Sequence, residues 1–135
     1  MATHNVGEQG LRSLRSPLGR VRGLGSAKSG VHHWWMQRVS SAALLPLTLW
    51  FVFSAAGLAG ASYAETVAWI GQPWNAVLLL ATIGIGFQHT ASGIQVIVED
   101  YANLEWVKVV IILAVKAICA LLALASALAV LRIAV

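Results

Sequence analysis

The sequence predicts an all-α membrane protein with three transmembrane helices, its N-terminus inside and its C-terminus outside. Three observations predict this. Of the 135 residues, 59% are hydrophobic and 10% charged, whereas a soluble domain carries charge on about a quarter of its residues. No Asp, Glu, Lys or Arg occurs from Val39 to Ala64 or from Thr66 to Val98, and a third apolar run, Val109 to Val135, is broken only by Lys116 and Arg132. Each run exceeds the roughly 20 residues that cross a hydrocarbon core of about 30 Å, and in lipid a helix satisfies its own backbone. Finally, Arg12, Arg15, Arg20, Arg22, Lys28 and Arg38 all precede the first run, while the segment after it, Ala59 to Trp74, holds only Glu65. Basic residues stay on the cytoplasmic side, which sets the orientation.

Residues 1 to 30 form a basic, polar tail with Pro17 and several glycines, expected to be irregular on its own. Its Arg-, Ser- and Gly-rich composition with Glu8 as the one acid is also that of a mitochondrial transit peptide; a basic tail on the inner face explains the same composition without cleavage and is preferred. Residues 31–135 form the three-helix anchor. The first helix is expected over about 32–58, with Pro46 removing one backbone hydrogen bond inside it. The segment Gly57 to Tyr63 ends it, and a short amphipathic piece is expected around Glu65 to Ile70, before Gly71-Gln72-Pro73. The second helix covers about 74–99 and the third about 104–134. Trp34, Trp35, Trp69, Trp74 and Trp106 fall near the ends of these spans and form interfacial belts. The lone Cys119 has no CxxC partner and reads as packing. Although the net charge is +4, the basic residues cluster beside the first span rather than along a soluble surface, which excludes a nucleic-acid partner and leaves membrane lipid.

His89 is the most informative position, about ten residues from either interface of the second span. Gly86, three before it, and Gly93, four after, share its face of a helix. That pattern carries two readings: small residues that let another helix approach closely, or room for a flat macrocycle beside an iron-ligating histidine. Ionisable groups inside a membrane are rare and mostly functional, which favours the second. Asp100, eleven residues on, returns to the same face, about 16 Å away along the axis at the inner interface, and Tyr101 follows it. On spacing alone Glu99-Asp100-Tyr101 also reads as a solvated helix end. The stretch HHWWMQRV before the first span lies on that inner side, so His32 and Arg38 can face Asp100 and Tyr101; an anchoring role at the wet interface explains them equally. Lys116 either snorkels to the inner face or points into the bundle.

The segments SPLGRVRGLGSAKSGVHHWWMQRV and HTASGIQVIVEDY, with a histidine twelve residues ahead of the tyrosine, resemble the small hydrophobic membrane-anchor subunit of succinate dehydrogenase in its alphaproteobacterial version. The resemblance covers about Ser16 to Val135. It implies half of a heterodimeric anchor bundle in the bacterial inner membrane, partnered by a second membrane anchor (the cytochrome b subunit), an iron-sulfur subunit and a flavoprotein subunit. It implies that His89 is one axial ligand to haem b, hence to its iron, with the second ligand on the partner anchor. It further implies that Tyr101, with Asp100 beside it, meets ubiquinone, and that His32 and Arg38 lie near the haem propionates or the quinone. The pair His32-His33 departs from the single histidine of some relatives. A haem-free anchor and a fumarate reductase anchor share the fold. A small transporter subunit would need further ionisable residues in the first two spans, and those hold only His89.

Overall fold

A computed structural model describes residues 29–135. Within them run α1 (Ser29–Gly57), α2 (Tyr63–Ile70), α3 (Pro73–Tyr101) and α4 (Glu105–Ala134). The basic tail expected over residues 1–30 lies outside the described residues, except that Ser29 and Gly30 open α1. Three helices, α1, α3 and α4, are long and apolar enough to cross a membrane. At 29, 29 and 30 residues each is about 45 Å long, more than a hydrocarbon core of about 30 Å, so helix ends enter the headgroup layers or the helices tilt.

Local chemistry explains where the elements begin and end. α1 runs unbroken through Pro46, and its hydroxyls fold back on the backbone: Thr48 donates to the Leu44 carbonyl at 2.7 Å and Ser41 to that of Gln37 at 2.8 Å. No bare hydroxyl then faces lipid at those positions. Past Gly57 the chain turns through Gly60, whose φ of 84° is left-handed and costs a residue with a Cβ about 1–2 kcal/mol. The expected amphipathic piece is a full helix, α2, because Ser62-Tyr63-Ala64-Glu65 forms a capping box. The Ser62 N–H and hydroxyl both donate to the Glu65 carboxylate at 2.7 Å, and these bonds, the hydroxyl's first, hold that carboxyl below its ordinary value. Pro73 opens α3, where its missing N–H costs nothing.

α2 closes the end of the bundle opposite the α3–α4 turn. Trp69 stacks on Trp50 of α1 with ring centroids 5.8 Å apart, and its carbonyl accepts from the Asn75 amide of α3 at 2.8 Å. A Cβ on Gly71 would stand 3.3 Å from the Val67 carbonyl oxygen and 3.5 Å from that of Ile133, so this glycine lets α2 and the end of α4 meet. Inside the chain the core is thin: only Ala76, Ala91 and Cys119 are buried among the described residues. Small side chains let membrane helices approach closely, while Phe53, Leu113 and Leu121 point outward, toward lipid or a partner.

Candidate functional site

His89 sits on α3 facing α1, half-buried, with its Nδ1 2.9 Å from the Ser40 hydroxyl. The glycines that flank it on that face meet α1 as well. A Cβ on Gly86 would touch Leu44 at 3.9 Å and one on Gly93 would touch the Gln37 amide nitrogen at 3.4 Å. Both glycines thus meet the tips of α1 side chains, Leu44 and Gln37, at ordinary contact distance.

Which of Ser40 Oγ and His89 Nδ1 donates across this contact follows the tautomer of the ring. The hydroxyl has one proton, and the Gln37 carbonyl, which can only accept, lies 3.0 Å from Ser40 Oγ. With that proton on Gln37, Oγ accepts from Nδ1–H of His89, and the imidazole carries its lone pair on Nε2. Among the described residues Nε2 makes no hydrogen bond, and it is not one of the sealed, unpartnered polar atoms. A histidine with one nitrogen committed as donor and the other open is the usual state of a metal-binding imidazole. No cluster of three or more His, Cys, Asp or Glu gathers among the described residues.

The two histidines of the HHWW stretch part company. His32 is exposed, whereas His33 is half-buried and its Nε2 is sealed from solvent without a hydrogen-bond partner among the described residues. The Gln37 side-chain oxygen is in the same condition. Arg38 does not reach Asp100: its guanidinium lies 5.0 Å from the centroid of the Trp34 ring, and the one ion pair among the described residues joins Lys108 to Glu105. Asp100 and Tyr101 end α3, both exposed, Tyr101 to 82% of its surface. Of the residues singled out from sequence, none of His32, Arg38, Asp100 and Tyr101 bonds to another. Ser40, Gln37 and His33 are additional members of the polar group in the half of the bundle nearer the α3–α4 turn. Ser40 and Gln37 stand one turn apart on α1, but their face could be read only once α3 was known to lie against it.

The family model described as succinate dehydrogenase/fumarate reductase transmembrane subunit matches residues 12–123 of the chain. A succinate dehydrogenase hydrophobic membrane anchor subunit of Rickettsia conorii is 29% identical over 107 residues, covering 78% of this chain and 85% of that protein. The corresponding subunit of Rickettsia typhi is 33% identical, covering 71% of this chain and 77% of its own length. That of Paracoccus denitrificans is 33% identical, with 64% and 67% covered. No solved structure matches.

Proposed function

The chain belongs to the succinate dehydrogenase/fumarate reductase transmembrane subunit family, and from that premise we propose that His89 is one axial ligand to a haem b shared with a second membrane anchor, beside a ubiquinone-reducing site at the inner end of α3. As a membrane anchor of this family the chain is part of an oxidoreductase complex, and its three apolar helices suit the inner membrane of a bacterium. The orientation that the basic residues favour puts the α3–α4 turn inside, where the iron-sulfur and flavoprotein subunits would dock.

One observation carries the haem reading: the Ser40 hydroxyl orients His89 and leaves Nε2 open. The residues therefore fit the group. Bound haem supplies a one-electron relay within the membrane. The chain's own part is to hold an imidazole at mid-depth, fix its tautomer and keep helix α1 close through Gly86 and Gly93. At the inner interface the Tyr101 hydroxyl, free of intrachain partners among the described residues, donates to a quinone carbonyl. That bond strengthens as negative charge gathers on the oxygen. Asp100, exposed beside it, is placed to pass protons from water. The arginine at position 38, exposed above Trp34, and His32 present positive charge or donors on the same side toward propionates or quinone.

The test is a reduced-minus-oxidised spectrum of the purified complex with His89 intact and with His89→Ala. Loss of the b-type bands, or a shift to a high-spin form, is expected for the variant. An unchanged low-spin spectrum overturns ligation by His89, and a colourless wild-type complex with full quinone reduction overturns haem binding altogether.

A further inference from the structure

About a third of a turn round α3 from His89 runs a second polar stripe, Gln88, Ser92, Gln95 and Glu99, at the i, i+4, i+7, i+11 spacing of one helix face. It is hydrogen-bonded in pairs along the helix: the Gln88 amide donates to Ser92 at 3.3 Å and the Gln95 amide to the Glu99 carboxylate at 2.7 Å. Glu99 is exposed near the end of α3. The other three line a cavity of about 450 Å3 against α4, where Lys116 and Cys119 form the facing wall and His33 of α1 joins them.

Two observations bear on what fills it. Lys116 lies eleven residues beyond Glu105, and His89 twelve before Tyr101, so the lysine is set at the depth of the mid-span histidine. Among the described residues no carboxylate comes within 4.0 Å of its amine. Ionisable side chains inside a membrane face the bundle interior or a water-filled cavity, and Lys116, with Gln88 across from it, is exposed in this chain. The buried Nε2 of His33 also has no protein partner among those residues, and a buried polar atom without one is normally satisfied by ordered water. A polar cavity of this size, with amide, hydroxyl, imidazole and ammonium groups on its walls, meets the requirements for holding water.

We propose that this cavity is a hydrated inlet, entered from the α3–α4 turn end of the bundle and running past the Lys116 ammonium toward Gly84 and Ala123, which admits water and small anions into the membrane-spanning part of the bundle. It is independent of haem and quinone binding, since neither group enters the argument for it.

Cys119, the chain's one cysteine, is a built-in reporter on the cavity wall. Membranes containing the assembled complex are treated with a small anionic or a small cationic thiosulfonate, in vesicles of either orientation, and modification of Cys119 is followed by mass spectrometry of this chain. Reaction is expected from the side of the α3–α4 turn. Normalised to a free thiol, the anionic reagent should be faster by about tenfold or more, as charge focusing in a low-dielectric cleft gives. Lys116→Gln should abolish that preference and Lys116→Arg should keep it. A Cys119 that reacts with neither reagent in the wild-type complex, yet reacts after denaturation, overturns the inlet. Equal rates for the two reagents in the wild type overturn the placement of the lysine charge within it.

Discussion

Ser40→Ala isolates the hydrogen bond on which the haem reading depends, because it removes one oxygen and leaves His89 in place. In the wild type the Ser40 hydroxyl lies 2.9 Å from Nδ1 and 3.0 Å from the Gln37 carbonyl. Without it, Nδ1–H loses its acceptor in a half-buried seam between α1 and α3. A hydrogen bond of this kind is worth about 0.5–1.5 kcal/mol net. Polar groups behind metal-bound histidines typically tune metal affinity by about 10–100-fold, so haem should be held more weakly, by a factor at the lower end of that range. An acceptor on Nδ1–H makes the imidazole a stronger donor and favours the oxidised iron; its loss should raise the midpoint potential. If all of the bond's energy acted on one oxidation state the shift would reach roughly 60 mV, since a one-electron couple moves about 59 mV for each tenfold change. The assay is a redox titration of the b-type bands in the assembled complex, with haem loss to an excess of apomyoglobin measured in parallel. Ser40→Thr keeps the hydroxyl and should restore both. If Ser40→Ala changes neither potential nor haem loss while His89→Ala abolishes the spectrum, the tautomer reasoning is wrong although ligation stands.

Tyr101→Phe should cut ubiquinone reduction several-fold and leave succinate oxidation with an artificial acceptor, and the haem spectrum, nearly unchanged, because the ring stays and His89 is about 18 Å away along the helix; equal loss of both activities refutes a specific role for the hydroxyl. For orientation, single cysteines replacing Ala59 and Asn103, in a chain lacking Cys119, should react oppositely with an impermeant thiol reagent on intact cells: position 59 labelled and position 103 protected. The reverse pattern sinks the inside placement of the α3–α4 turn. The Glu65 carboxyl is held below its ordinary value by Ser62. The capping box should therefore persist above the ordinary carboxylate range and open as pH falls through the lowered value. Carboxyl titration by NMR should show Ser62→Ala returning Glu65 toward its ordinary value; no movement would mean that the box does not form in the membrane.

The three spans were legible because a charge-free run is a property of neighbouring residues and needs no tertiary context. α2 was legible in part: Ser62 and Glu65 stand at capping-box spacing, yet a helix of this length is short for stability alone, and what holds it is Trp50 on α1 and Asn75 on α3. His89 announced itself by depth. Its partner did not, since Ser40 is 49 residues away in sequence and one serine in an apolar run reads like any other. Arg38 shows the opposite case. Sharing a membrane face with Asp100 was predictable, but Trp34 sits one turn back on the same helix, and that local contact is the one observed. The stripe from Gln88 to Glu99 was present in the sequence at helical spacing, but its meaning depended on Lys116 facing it from α4, a register set by the length of the α3–α4 turn.

Depth organises the described residues. Counted along the helices, His33, Gln37, Ser40, Gln88, His89, Ser92, Gln95 and Lys116 all lie between the α3–α4 turn and mid-span. The half nearer α2 is held instead by an aromatic stack, one asparagine side chain and the glycine contact of α2 with α4. Each polar group inside a membrane must find a partner or water, so a random scatter would leave some stranded far from either surface. Gathering those eight toward the α3–α4 turn gives that end of the bundle both the open imidazole nitrogen and much of the polar cavity. Their stripes diverge around α3, so His89 meets α1 while Ser92 and Gln95 turn to the α4 side, with Gln88 between them lining a cavity on each side. Substitutions on the two faces should consequently act independently, and a double variant such as Ser40→Ala with Lys116→Gln should show the sum of the single effects on haem potential and on Cys119 reactivity, within about 0.3–0.5 kcal/mol. A larger departure would mean that one continuous polar network joins the two faces through the seam at Gln37.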